Sequence, residues 1–235
     1  MYEVHACGSP NVIKVIICLA ELGQDWREIW VDVTRGGQHD ADFLRISPNG
    51  RVPVLVDHAP SDGGEPAVVW ESGAILAYLA EKHGQFLPPS GRGRSAVMTW
   101  LFWQMAGLGP MSGQNAHFLQ YDPPGSDYAQ NRYHVEVERL YRVLDRQLAG
   151  RDFICGDYSI ADMACYPWVR THRRLQLDIS GLPALEAWAA RMGEREGVAR
   201  AYARMQQEPA GTASRQERWD AMRPERGLEA LAGLG

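Results

Sequence analysis

Along residues 1–86 the apolar positions switch between a period of two and a period near that of a helix, which predicts alternating strands and helices. Tyr2–Ala6 reads as a short strand. Ser9-Pro10-Asn11 has the chemistry of a helix start, with Ser9 as N-cap and Pro10 at the first helical position, where its missing N–H costs nothing. Val12, Ile13, Ile16, Ile17, Leu19 and Ala20 carry that helix on, and Gly23 ends it. From Trp26 to Val33, Ile29, Val31 and Val33 alternate with Glu28, Trp30 and Asp32, as in a half-buried strand. A loop and a short helical turn over 34–46 lead to a third strand, Val52–Val56. Breakers over 57–66 separate it from Ala67–Trp70 in a hairpin. A helix from Ser72 to about His83 follows, with Ile75, Leu76 and Leu79 on one face.

Beyond residue 86 the signals are mainly helical. Leu87–Gly93, rich in proline and glycine, reads as a linker. Ser95–Tyr121 carries no formal charge, yet Gln104, Gln114 and Asn115 are polar and Gly107, Gly109 and Pro110 interrupt it. A membrane span is excluded on that ground, and a buried helix followed by a loop is expected. Val137, Leu140, Tyr141, Leu144 and Leu148 repeat at helical spacing up to Gly150. Ser159 and Asp162 form a capping box, with Tyr158 placed for a hydrophobic staple. Another helix starts near Pro183 with Leu185, Trp188 and Met192. The order β-α-β, then β-β-α, is that of a thioredoxin-like α/β domain, here residues 1–86. An all-α helical domain over 92–205 follows, and residues 206–235 are expected to fray or drape over the surface.

Composition narrows the function. The formal net charge of −5 and the absence of a basic stripe argue against a nucleic-acid binder. Cys7, Cys18, Cys155 and Cys165 contain no C-x-x-C, and the seven histidines show no ligand spacing, so no metal site is expected. The N-terminus lacks the basic and apolar regions of a signal peptide, and reduced thiols in a cytoplasm are expected, with no membrane partner. Gly91-Arg92-Gly93-Arg94-Ser95-Ala96 and Gly107-Leu108-Gly109 do not follow strands and are no dinucleotide fingerprint. No G-x-S-x-G is present for an esterase nucleophile.

Four short segments remain, and in a thioredoxin-like sheet all of them meet at one edge. Ser9-Pro10-Asn11 sits where a strand feeds a helix, and Gly36-Gly37-Gln38 lies in the loop after the second strand. Val52-Pro53 opens the third strand, and Glu71-Ser72 joins the fourth strand to its helix. A proline heading a strand invites a cis peptide, whose preceding N–H and C=O turn outward to hold an extended peptide. A helix N-terminus at Glu71-Ser72 offers unpaired N–H groups to a carboxylate, and Gln38 can bridge a second carboxylate or amide. Each has a structural alternative: Ser9 and Ser72 as plain helix caps, Pro53 as a strand start.

These segments, with Phe43–Asn49, Tyr158–Asp162 and the run Trp100–Gln104 plus Gly107–Pro110 and Gly113–Asn115, resemble the cytosolic glutathione transferases. The resemblance covers about residues 1–205 and is nearest to the bacterial Nu class and the globular domain of the yeast nitrogen-regulator prion protein. It implies a glutathione-binding first domain, an all-helical second domain and a homodimer, with glutathione as co-substrate and no metal. In that class an asparagine addresses the thiol, with a threonine nearby. Asn11 matches the asparagine, and Ser9 stands in place of the threonine. Gln38, Val52 with Pro53, Glu71 and Ser72 match glutathione-contacting positions, and Arg132 matches an arginine meeting the second half of glutathione disulfide. Cys7 falls ahead of the helix cap, where a helix N-terminus cannot activate it, and is expected to be a bystander. Cys18 is expected in the core.

The energetics suffice without a protein base. Bringing a thiol of pKa ~8.5 down by about two units requires about 2.7 kcal/mol. A helix N-terminus supplies ~0.5–2 kcal/mol, and a hydrogen bond from Asn11 or Ser9 ~1.5–3 kcal/mol. The resemblance implies a glutathione-dependent disulfide-bond reductase, binding glutathione or glutathione disulfide. Conjugation or thioether and β-ether cleavage of small electrophiles, and a non-catalytic glutathione-fold regulator, are the alternatives. The electrophile pocket is expected near Trp100–Met111 and Tyr166–Arg174.

Overall fold

The computed structural model describes residues 1–121, 125–205, 220–221 and 224–232. The first domain runs β1 (Tyr2–Ala6), α1 (Pro10–Glu21), β2 (Trp26–Trp30), α2 (Ala41–Ile46), β3 (Val54–Asp57), β4 (Ala67–Trp70) and α3 (Ser72–His83). The four strands form one sheet in the order β2-β1-β3-β4, with β1 and β2 parallel and the other pairs antiparallel. His5 stands opposite Ile29 on one side and Val54 on the other, and Val54 in turn opposite Trp70. That register brings the exits of β1, β2 and β4 and the entrance of β3 to the same end of the sheet. All four expected segments therefore converge there.

Two strands differ in length from the expectation. β2 stops at Trp30 because Asp32 takes over the backbone: its side chain accepts from the Thr34 N–H, and its carbonyl accepts from Gly37 N–H at 2.9 Å. β3 begins at Val54 because Pro53 has no N–H to give the ladder, and the Val52–Pro53 bond is cis as expected.

Helix α1 is buried from Val12 to Ala20, including Lys14. It packs on α3 from its own domain and on α7 and α9 from the second, so one continuous apolar cluster spans both domains. Cys18 lies in that cluster, fully buried, with its thiol pKa pushed up by burial.

The second domain comprises α4 (Gly91–Trp103), α5 (Gly109–Tyr121), α6 (Asp127–Leu148), α7 (Ile160–Arg170), α8 (Pro183–Glu194) and α9 (Glu196–Met205). Helix α4 starts at Gly91, so Gly91-Arg92-Gly93 is its first turn and not linker. No loop follows α4 either: a π-helical turn, Gln104–Leu108, carries it directly into α5. The wider turn takes in Gly107, the Gly109 N–H bonds back to the Gln104 carbonyl, and Pro110, which has no N–H to give, follows as the second residue of α5. A Cβ at Gly109 would lie 2.7 Å from Gln104 Nε2 and 3.3 Å from the Gln104 carbonyl, so the turn is closely packed there.

The remaining helices follow their patterns. α6 buries Val137, Leu140, Tyr141, Leu144 and Leu148, and α8 buries Leu185, Trp188 and Met192. The capping box is formed, and the Asp162 carboxylate also accepts from Ile154 N–H at 3.0 Å and Trp188 Nε1 at 2.9 Å. Much of the expected tail lies outside the described residues. The described part includes a terminal helix, Pro224–Ala232, that packs on the 3₁₀ turn Gly37–His39. No helix among the described residues is long and apolar enough to cross a membrane.

Candidate active site at the sheet edge

The first helix start behaves as its sequence predicts. Ser9 caps α1, its hydroxyl accepting from the Asn11 N–H at 3.2 Å. The Asn11 side chain reaches across to the second domain, where its Oδ1 accepts from Trp168 Nε1–H at 3.2 Å. An indole nitrogen can only donate, so the oxygen of the amide faces Trp168 and its NH₂ is left to face elsewhere. Cys7 lies between β1 and the cap; its side chain is buried and its carbonyl accepts from Ser9 N–H at 2.7 Å. The thiol is therefore ahead of the helix and not at its N-terminus.

The second helix start differs from expectation. Ser72 does not cap α3; it is the first residue of the helix, and Glu71 holds the N-cap position without a side-chain capping bond. Glu71 has φ +71°, which a side chain rarely tolerates, and its carboxylate accepts from Asn49 Nδ2 at 3.2 Å. The first-turn N–H groups of α3 are thus left without a side-chain cap. Ser72 is buried, and its hydroxyl lies 3.5 Å from Lys14 Nζ and 3.7 Å from Met105 Sδ.

Lys14 is a site residue that sequence reasoning passed over. It is fully buried, and its ammonium donates to Gln104 Oε1 at 2.7 Å as well as facing Ser72 and Met105. Burial drives its pKa down to about 7, opposed by Cys165 and Glu71. The signal was present as one lysine within the run Val12–Ala20. Gln104 and Trp168 fall within the two segments expected to line a pocket, but nothing in the sequence pairs them with Lys14 and Asn11.

Gln38 is buried in the 3₁₀ turn, where its Nε2 donates to the Ala221 carbonyl at 3.4 Å and its Oε1 has no partner among the described residues. The adjoining loop closes on it at Gly50, where a Cβ would meet the Gln38 carbonyl at 3.2 Å. Val52 is half-buried and Pro53 buried beside them. Arg132 stands exposed on α6, and its charge acts on Glu136 one turn further along. The structure thus brings together Ser9, Asn11, Gln38, Val52, Pro53, Glu71 and Ser72 at one sheet edge, while Arg132 belongs to a separate helix. No cluster of metal-ligating side chains occurs among the described residues.

A thioredoxin-like sheet with an all-helical partner domain, and two helix starts meeting at one edge, defines the class. The family described as glutathione S-transferase matches twice, with its N-terminal domain over residues 8–82 and its C-terminal domain over 114–196. The chain belongs to the glutathione S-transferase family. It is 46% identical over 207 residues to the disulfide-bond oxidoreductase YfcG of Escherichia coli, covering 88% of this chain and 96% of that protein. A second E. coli disulfide-bond oxidoreductase, YghU, is 37% identical over 84% of this chain and 73% of its own length. Among solved structures, a Pseudomonas putida glutathione transferase with one glutathione disulfide bound per subunit superposes with a TM-score of 0.79. It is 34% identical and covers 85% of this chain and 90% of its own.

Proposed function

We propose that this chain is a glutathione-dependent disulfide-bond oxidoreductase that works as a cytoplasmic homodimer. The observation that carries the reading is the meeting of Asn11 with the uncapped start of α3 at one sheet edge. The relatives named disulfide-bond oxidoreductase support the choice of reaction. In this reading residues 1–86 bind glutathione, residues 92–205 close the site, and 206–235 are the C-terminal tail. Gln38, the Val52–Pro53 backbone, Glu71 and Ser72 hold the peptide. Asn11 and Ser9 address its sulfur, Arg132 meets the second half of a disulfide, and Cys7 is a bystander.

The amide of Asn11 cannot accept a proton, but its NH₂ can donate to a thiolate and so favour the anion. That thiolate attacks one sulfur of a bound disulfide, forming a glutathionyl mixed disulfide and expelling the other sulfur as a thiolate, which takes a proton from solvent. A second glutathione thiolate then attacks the glutathionyl sulfur, releasing the remaining thiol. Two glutathione thiols are oxidised to glutathione disulfide and one disulfide is reduced. Dimerisation is supported by Val68 and Trp70 on the edge strand β4 and by Phe102 on α4, all large, apolar and exposed at 40% or more.

The test is a panel assay on the purified protein. Glutathione-coupled reduction of hydroxyethyl disulfide is compared with conjugation of chlorodinitrobenzene and with lysis of an aryl thioether. Disulfide reduction is expected to dominate, and a protein active only in conjugation or lysis would overturn the reading.

A further inference from the structure

Lys14 presents an electrostatic problem that the protein by itself leaves unsolved. Its ammonium is fully buried, and its hydrogen-bond partners among the described residues are all neutral: the Gln104 amide oxygen at 2.7 Å, the Ser72 hydroxyl at 3.5 Å and the Met105 sulfur at 3.7 Å. No ion pair to Lys14 occurs among the described residues. A buried charge without a countercharge is costly, and proteins retain such groups where something compensates them. Glu71 is close enough to act on Lys14 but is itself exposed, which weakens its effect.

The surroundings point to where compensation comes from. Lys14 sits directly behind the first turn of α3, whose N–H groups have no side-chain cap. The Ser72 hydroxyl can accept from Lys14 while donating its own proton onward, and among the described residues that proton faces the weakly accepting Met105 sulfur. A carboxylate docked on the α3 start would take that proton and the helix N–H groups together. The buried ammonium would then act on it across one hydroxyl in a medium of low dielectric.

We propose that Lys14 is the internal countercharge for the α-carboxylate of a γ-glutamyl ligand, acting through Ser72 as a positioning residue for that end of glutathione. The inference rests on the reading that glutathione binds with this carboxylate at the α3 start. Gln104 gains a role as well, since from the second domain it holds the Lys14 ammonium in place against Ser72. The lowered pKa of Lys14, about 7, accords with a charge waiting for a partner.

The experiment is a cycle between protein and ligand, read by isothermal titration below pH 7, where Lys14 is charged. The ligands are glutathione and 4-aminobutyryl-cysteinyl-glycine, which differs only in lacking the α-carboxylate. The proteins are the wild type, Lys14→Met and Lys14→Gln; the glutamine keeps a donor for Gln104 without the charge, should methionine fail to fold. Both variants are expected to bind glutathione about tenfold more weakly, an interaction of about 1.4 kcal/mol, and to bind the analogue as the wild type does. Equal weakening of both ligands, or of neither, would overturn the role of Lys14 while leaving the binding mode intact. If the wild type binds the analogue as tightly as glutathione, the carboxylate does not sit at the α3 start, and the binding mode falls together with the inference.

Discussion

The indole N–H of Trp168, on α7, donates to the side-chain oxygen of Asn11, at the start of α1, over 3.2 Å. One domain thereby sets the orientation of an amide belonging to the other, and the half of that amide turned away from Trp168 is its donor. Replacing Trp168 by Phe keeps the ring and removes the N–H. The amide is then free to rotate, and one neutral hydrogen bond of about 0.5–1.5 kcal/mol is lost. The expected result is a several-fold fall in kcat with little change in KM for glutathione. A rise in KM alone would show that Trp168 shapes the binding site and not the Asn11 amide.

Asn11→Ala is expected to lower kcat about ten- to hundredfold, the equivalent of a hydrogen bond to a charged sulfur of ~1.5–3 kcal/mol. Glutathione affinity should stay near the wild-type value, because the peptide is assigned to Gln38, Glu71 and Ser72, with its α-carboxylate at the α3 start. Cys7→Ser, which alters a buried thiol ahead of the cap, should retain turnover. Steady-state kinetics on both variants decide between them: loss in Cys7→Ser with activity kept in Asn11→Ala would make the enzyme cysteine-dependent.

Ser72→Ala separates ligand from fold. Ser72 is the first residue of α3 and not its cap, so the stability loss of about 1 kcal/mol typical of a lost cap is not expected. The glutathione dissociation constant should instead rise several-fold. Thermal melting and calorimetry on the same sample check both, and a large drop in Tm with unchanged affinity would leave Ser72 a purely structural residue.

Arg132→Ala tests the second ligand half. Loss of a charge-assisted contact to a glutathionyl carboxylate should weaken glutathione disulfide by ~1.5–3 kcal/mol and leave reduced glutathione nearly unaffected. Titration of both ligands against both proteins measures the difference. Equal effects on the two would favour conjugation or lysis over disulfide work.

Lys14 should also impose a pH dependence on stability. Its folded-state pKa of about 7 lies below the ordinary 10.5. Between those values the unfolded chain holds a proton that the folded chain has released, so stability rises with pH across that window. Below 7 both states are charged and the full burial penalty is present. The stability of Lys14→Met relative to the wild type should therefore be greatest below pH 7 and decline towards 10.5, as urea unfolding at several pH values would reveal. A difference that is flat with pH would mean that the buried ammonium does not lose its proton in the folded state.

What the sequence determined by itself was local. The period of apolar positions, Ser9-Pro10 as a helix start, the Ser159–Asp162 capping box and the Ala67–Trp70 hairpin strand are short-range chemistry, and each forms as read. Pro53 heading a strand marked the cis bond for the same reason. The four candidate segments were found because a β-α-β, β-β-α order brings their positions to one end of the sheet whatever the side chains do. Where local signals competed with packing, they lost. Gly107, Gly109 and Pro110 read as breakers, but the π-helical turn Gln104–Leu108 keeps the helix running. Ser72 reads as a cap, but Glu71 takes that place in a left-handed conformation that a sequence pattern does not announce. The partnerships that set the chemistry were decided by tertiary structure alone. Trp168 is 157 positions from Asn11 and Gln104 is 90 from Lys14. Such contacts depend on how α7 and the π-helical turn seat against α1, which no periodicity along the chain encodes.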